Sequence, residues 1–350
     1  MVGIGIAGIG FMGVTHYKAL DQVADARVTA VFTRSEKKLA GDWSDVQGNF
    51  GGAGGEHDLS NLARHRRFED LIADQNVDLV DICLPSPMHA DATIAALEAG
   101  KHVLVEKPIA LTVEDADRMI ATAATCERQL MVGQVLRFWP EWKFLKDAMT
   151  SSEYGRLMTL NLRRIISRPD WSKDIANFSA NGGPLIDLHI HDVDFVLYLL
   201  GKPKQLRCIG RLRDDCVVYV STLYDYEGGP TVSAQSGAVA MPGRPFRHEY
   251  EACFEKATVT FAAATEPEGV DASAGQSSSQ VLTVYDGEGH VSFPQVSKRD
   301  GFVAQLEHAA QCAAADRPSP IIDGTHARDS LAVVHLEGES LCRGATLDVT

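Results

Sequence analysis

The chain carries only seven cysteines, Cys83, Cys126, Cys208, Cys216, Cys253, Cys312 and Cys342, and no two of them form a C-x-x-C pair. An odd count without that spacing argues against a disulfide framework or a thiolate metal centre, and it fits reduced thiols in a cytoplasmic protein. No apolar run reaches about 18 residues, so no membrane span is expected. The apolar N-terminus lacks the basic flank of a signal peptide. Positive charge is scarce: 33 Lys and Arg stand against 47 Asp and Glu, a net charge of −14. Nucleic acid is therefore not an expected partner, since binding it needs a basic footprint. An anionic small molecule held by a few local cations stays open. There is no internal repeat.

Hydrophobic residues make up 45% of the 350 positions and charged ones 23%, which suits a globular protein with a sizeable core. The length suggests about two domains of roughly 150 residues. Short apolar strands at 2–7, 27–32, 77–84 and 103–105 alternate with helical patterns at 11–20, 69–74, 89–99 and 113–126. That alternation predicts a doubly wound parallel sheet. Residues 129–133 fit a last strand of it, although the composition shift suggests a boundary between 1–125 and 126–350. The Gly-rich stretch within 41–58 reads as a surface loop with no phosphate role.

Beyond residue 155 strands follow one another at 157–166, 205–212, 217–224, 231–238, 249–253, 257–262 and 281–285. This predicts an α+β domain with a large, mostly antiparallel open sheet. Helices are expected at 185–199, 301–315 and 325–343, and the Ser- and Gly-rich segment 263–280 reads as a mobile hairpin loop.

Gly8-Ile9-Gly10-Phe11-Met12-Gly13 directly follows the first strand and opens the first helix. The first Gly permits a sharp reversal, the second lets backbone approach a pyrophosphate, and the third lets helix pack on strand. Phosphates would sit on amides at the positive end of the helix dipole. The overlapping set Gly3, Gly5, Gly8 is rejected because it leaves no preceding strand. An NAD site usually carries an acid about 20 residues on, bonding the ribose 2′-OH. Here the second strand ends in Thr33-Arg34-Ser35-Glu36-Lys37-Lys38. Arg34 can pair a 2′-phosphate, with Thr33 and Ser35 as hydroxyl donors and Lys38 nearby. NADP is therefore expected ahead of NAD, which remains possible because Glu36 could still reach a ribose.

Glu106-Lys107-Pro108 leaves the carboxyl end of a parallel strand, where a lysine can polarise a substrate oxygen. The helix after Gly182-Gly183-Pro184 carries Asp187, His189, His191 and Asp194. At about 100° per residue, Asp187, His191 and Asp194 fall within roughly 60° on one face, and His189 on the other. A carboxylate beside a histidine makes a tunable acid/base. Because i and i+2 point apart on a helix, His189 and His191 are not expected to share a metal.

These segments, with Val80-Asp81-Ile82-Cys83-Leu84-Pro85-Ser86-Pro87-Met88-His89 and Val132 to Phe138, resemble the glucose–fructose oxidoreductase / inositol dehydrogenase (Gfo/Idh/MocA) family over nearly the whole chain. The resemblance implies a nicotinamide-dependent oxidoreductase on a sugar, cyclitol or related polyhydroxy compound. It implies Lys107, Asp187 and His191 around the reacting carbinol, in a cleft between the domains. The expected cofactor contacts are Gly8, Gly10, Phe11, Met12, Thr33, Arg34, Ser35, Lys38, Leu84, Pro85, His89, Glu106 and Lys107. Arg137 and Trp139, with residues in Arg163 to Trp171, are expected to touch substrate. A cis peptide before Pro108 and a homodimer or homotetramer built on the C-terminal sheet are also implied. His189 stands where many relatives carry Gly. Two other activities fit the same fold: redox-neutral glycoside cleavage with bound nicotinamide, and nucleotide sensing without turnover.

Overall fold

A computed structural model describes residues 1–47, 54–167, 181–213, 216–241, 244–265 and 280–350. Six strands, β1 (Val2–Ala7), β2 (Ala26–Phe32), β3 (Ala63–His65), β4 (Leu79–Ile82), β5 (His102–Glu106) and β6 (Leu130–Gly133), form one sheet in the order β3-β2-β1-β4-β5-β6. Every pairing in it is parallel. All six residues of β1 are buried, as expected of a strand covered on both faces. The strands alternate with α1 (Phe11–Leu20), α2 (Glu36–Leu39), α3 (Phe68–Ala73), α4 (His89–Glu98) and α5 (Val113–Thr125). The order reverses at β1, where one neighbour is β2 and the other β4, and ligands bind outside the carboxyl ends of strands at such a point.

After α6 (Pro140–Ser151) comes a second sheet of β7 (Leu157–Ser167), β8 (Gln205–Arg213), β9 (Cys216–Asp225), β10 (Thr231–Ala240), β11 (Phe246–Phe254), β12 (Ala257–Thr265), β13 (Gln280–Asp286), β14 (Val291–Ser292) and β15 (Leu347–Asp348). Its order is β14-β13-β12-β11-β7-β10-β9-β8-β15, antiparallel throughout except for β7 beside β10. Register sets its faces. Val284, Val259, Ala252, Leu160, Val232, Tyr224 and Leu206 stand directly opposite one another across seven strands, none more than 5% exposed. A one-residue slip in any strand would turn its apolar set outward. The helices of the later chain are α7 (Ile190–Leu200), α8 (Gly301–Ala314) and α9 (Gly324–Arg343).

The chain divides into Met1–Phe138 with Arg299–Leu331, and Trp139–Lys298 with Ala332–Thr350. A boundary at residue 125 therefore falls too early. β6 completes the parallel sheet, and the Val132 amide donates to the Ile322 carbonyl at 2.9 Å, which binds the returning segment to it. The loop expected around 41–58 is anchored: Trp43 is fully buried against Tyr17 and His57, and its indole donates to the Lys38 carbonyl at 2.8 Å. Gly51, Gly52 and Ala53 lie outside the described residues, as does most of the hairpin expected at 263–280. β3 had no apolar signal, being Ala-Arg-His. α6 had one that periodicity alone overlooked, Pro140 in its first turn.

Trp142 of α6 is fully buried, with ring centroids of Phe195 at 4.8 Å and Tyr250 at 5.3 Å. Replacing a buried aromatic of this size by Ala leaves a cavity. Trp142→Ala should lower the unfolding free energy by about 3–5 kcal/mol in denaturant titration.

Candidate functional site

The glycine turn is built as its spacing requires. Gly8 has φ +102, and a Cβ there would lie 2.7 Å from the Cys83 carbonyl oxygen. A Cβ on Gly13 would come within 2.0 Å of the Gly8 oxygen. These two positions are closed by packing. Gly10 differs: it caps α1 without a side-chain hydrogen bond, and a Cβ there would meet no atom within 4 Å. The open space lies over the helix N-terminus, where amides and dipole favour an anion. A pyrophosphate fits this cradle on its own geometry. Phe11 and Met12 are half-buried in the first turn of α1.

At the end of β2, Thr33 Oγ1 accepts from the Ser35 amide at 3.3 Å, and Ser35 caps α2 by accepting from the Lys38 amide. Arg34 is exposed. The Lys38 ammonium donates to the Ile9 carbonyl at 2.8 Å, which brings a cation onto the glycine turn itself. Glu36, the acid that could have served a ribose, forms an ion pair with Arg66.

Leu84 and Pro85 follow β4, half-buried and exposed respectively. His89 is not presented to solvent. It is 1% exposed, with Nδ1 at 2.7 Å from the Pro108 carbonyl and Nε2 at 2.8 Å from the Leu84 carbonyl. Burial pulls its pKa below the ordinary imidazole value. It ties the turn after β4 to the turn after β5, so its link to a cofactor is through those backbones. Glu106 ends β5 at 6% exposure, Lys107 is half-buried, and the Lys107–Pro108 peptide is cis.

Beside these residues lies a cluster that no sequence pattern singled out. His16 of α1 is fully buried, with Nδ1 at 2.9 Å from Asp81 Oδ2 and Nε2 at 3.2 Å from Glu106 Oε1. Cys83 Sγ lies 3.5 Å from Nδ1. Burial opposes charge on His16, yet Asp81 holds its pKa well above the ordinary value. The same burial, with Asp81, pushes the Cys83 thiol up to about 12. The donor set is therefore an imidazolium between carboxylates beside a protonated thiol, which is poor chemistry for a metal although three ligand atoms lie within 4.8 Å. A charged residue inside Val80-Asp81-Ile82-Cys83 was the available signal, because a buried acid demands a partner.

In the second unit the expected helix begins as a π-helical turn, Leu185–His189, before α7. Such turns gather at functional sites. From Gly183 to Val196 every residue is buried except Asp187 and His191, which are half-exposed. These two share the accessible face. Asp194, expected beside them, is only 1% exposed.

His189 is fully buried in a polar chain. Its Nδ1 meets Ser236 Oγ at 2.7 Å, and its Nε2 lies 3.1 Å from Glu337 Oε2 of α9. Ser236 donates to Asp192, which accepts a bidentate pair from Arg164, and Tyr224 donates to Glu337 at 2.5 Å. Burial opposes charge on His189, but Glu337 and then Asp192 outweigh it and raise its pKa. The ring fills a place that a glycine would leave empty.

Of the expected substrate contacts, Arg137 is 4% exposed and donates to the Ile321 carbonyl, and Trp139 is half-buried as the cap of α6. Arg163 is exposed and pairs with Glu249 at 3.4 Å, whereas Trp171 lies outside the described residues.

Comparison with known proteins identifies the family. Residues 2–134 match the model of the oxidoreductase family with NAD-binding Rossmann fold (GFO_IDH_MocA), and residues 142–260 match the GFO/IDH/MocA C-terminal domain. The chain belongs to the Gfo/Idh/MocA family. It is 31% identical over 202 residues to myo-inositol 2-dehydrogenase of Thermotoga maritima, covering 57% of this chain and 55% of that one. It is 36% identical over 128 residues to D-glucoside 3-dehydrogenase of Escherichia coli, covering 36% of each. These matches thus span about half or less of the relatives' length. The aldose-aldose oxidoreductase of Caulobacter crescentus, solved with glycerol, shares the fold at TM-score 0.80 and 22% identity over 99% of both chains. Among the described residues, no helix is long and apolar enough to cross a membrane.

Removing one partner of a buried ion pair leaves an uncompensated charge. Glu337→Leu should therefore cost about 3–5 kcal/mol, whereas Arg163→Ala, at an exposed pair, should cost at most about 1 kcal/mol. His189 has a raised folded pKa, so the stability it contributes is complete below the unfolded value and is lost as pH rises through the folded one. Melting temperatures followed from mildly acidic to mildly alkaline pH should show a larger loss in the native protein than in Glu337→Leu, where the contribution of His16 remains.

Proposed function

We propose that this protein is an NADP-preferring dehydrogenase or reductase acting on a CH–OH group of a sugar, cyclitol or related polyhydroxy compound. The observation that carries this reading is the helix in which Asp187 and His191 alone reach the surface of an otherwise buried stretch. The family assignment and the open cradle at Gly10 support a dinucleotide as cofactor. When bound, nicotinamide supplies the hydride acceptor or donor.

The residues of this chain do the rest. Gly8, Gly10 and the first turn of α1 bind the pyrophosphate. In oxidation, His191 takes the hydroxyl proton as the substrate carbon gives up its hydride, and it returns that proton in reduction. Asp187 orients the ring. Lys107 polarises a substrate oxygen, which lowers the cost of negative charge there. Glu106 and the turn after β4, Leu84-Pro85, border the cofactor. Trp139 is assigned to substrate. Arg137, which also donates to the Ile321 carbonyl, is assigned there with it.

The NADP preference rests on the end of β2, where Arg34 is exposed, Thr33 and Ser35 offer hydroxyls, and Glu36 is engaged by Arg66. The myo-inositol and D-glucoside dehydrogenases among its relatives direct the substrate search to polyols and glycosides. Seven unpaired thiols support a cytoplasmic location. The uncovered face of the second sheet, with Ile209 63% and Leu223 51% exposed, supports a homodimer or homotetramer formed through it.

Two measurements test the reading. Arg34→Ala should erase most of the preference for NADP(H), since a charge-assisted hydrogen bond is worth about 1.5–3 kcal/mol. Fluorescence titration with NADPH and NADH reads it, and equal or tighter NADH binding by the native chain would refute the preference. In a panel of myo-inositol, aldoses, glucosides and their keto forms with both cofactors, Lys107→Ala and His191→Ala should each lower kcat by roughly 10²–10⁴-fold with cofactor affinity nearly intact. Near-native turnover in both variants would sink the assignment of the reacting site.

A further inference from the structure

The polar cluster around His16 does work that the proposed chemistry has not claimed. His16 stands on α1, whose N-terminus is the glycine turn, and it reaches across to the ends of two other strands. On one side Asp81 of β4 receives Nδ1 at 2.9 and 3.1 Å from its two oxygens. On the other, Nε2 faces Glu106 Oε1 at 3.2 Å. The groups packed around the ring are Asp81, Cys83, Glu106 and the Phe302 ring of α8 at 5.8 Å.

The Glu106 carboxylate is also held from elsewhere. Its Oε2 accepts from the Lys107 amide at 3.2 Å. A Cβ on Gly133 of β6 would lie 2.7 Å from Oε1 and 3.1 Å from the carboxyl carbon. The carboxylate therefore occupies the room that the missing side chain of Gly133 leaves. Three elements, α1, β6 and the backbone of residue 107 itself, converge on one carboxylate at the last residue of β5. A buried ion pair adds little net stability compared with apolar packing of the same shape, so its value here is the geometry it imposes on the backbone leaving β5.

We propose that His16 is a positioning residue which, with Gly133, fixes the Glu106 carboxylate and through it the backbone turn that presents Lys107. This rests on the role proposed for Lys107. It also ties the glycine turn to that lysine, since His16 is one residue of the same helix.

The test compares His16→Gln, Gly133→Ala and their double variant with Lys107→Ala. In the cofactor-free protein, amide hydrogen exchange at Glu106 and Lys107 should quicken in both single variants, while exchange in α7 stays native. With a substrate from the panel and saturating cofactor, each should lose roughly 10–100-fold in kcat, the scale of a small misplacement of a reacting group. KM for cofactor should change far less. Because both act through Glu106, the double variant should fall no further than the worse single one. Additive losses, native kcat in both variants, or unchanged exchange at Glu106 and Lys107 would overturn the proposal. If instead Lys107→Ala keeps native turnover, the reading of Lys107 fails, and the exchange measurement still decides whether His16 holds the turn. Should the variants fail to fold, the native protein decides: ¹⁵N-edited NMR should find a proton on Nε2 of the histidine ring that contacts Phe302, facing the Glu106 carboxylate, and an Nε2 without a proton would overturn the clamp.

Discussion

Parallel pairing of β1 with both β2 and β4 is the constraint on which the first unit depends. Parallel strands deliver all their carboxyl ends to one edge. The turn at Gly8, the Arg34 segment, Leu84-Pro85 and Glu106-Lys107 are far apart in the chain, but each lies at or just beyond the end of one of these strands. The covering helices bury β1 on both faces, and this burial leaves the strand ends as the place where polar backbone can meet a ligand.

Each unit then solves the same electrostatic problem in its own way. A charge taken out of water must find an opposite charge. In the first unit His16 lies between Asp81 and Glu106, and in the second His189 lies between Ser236 and Glu337, with Arg164 and Asp192 next along the chain. Both clusters sit one step behind a residue assigned to chemistry: Glu106 adjoins Lys107, and His189 lies between Asp187 and His191. Exposed pairs such as Arg156 with Glu255 carry no such constraint, since water screens them.

The second sheet shows how local alternation sets two faces of different character. Its covered face is a continuous apolar row, and its other face mixes Ile209 and Leu223 with Arg207 and Ser221. Alternation alone separates these faces, because side chains in a strand have a period of two.

The sequence by itself determined the alternating architecture, the positions of the glycine turn and of Glu106-Lys107 at strand ends, and the placing of Asp187 and His191 on one helical face. All of these are local: periodicity, turn residues and spacing act within a few positions of each other. Tertiary structure alone decided the rest. The π turn at Leu185–His189, the burial of Asp194, the anchoring of Trp43 and the return of Arg299–Leu331 to the first unit have no local signal. The use of His89 and Arg137 to hold backbone carbonyls is decided the same way, as is the union of His16, Asp81 and Glu106. The partners of a buried polar side chain come from whichever strands pack beside it, and that neighbourhood exists only once the chain has folded.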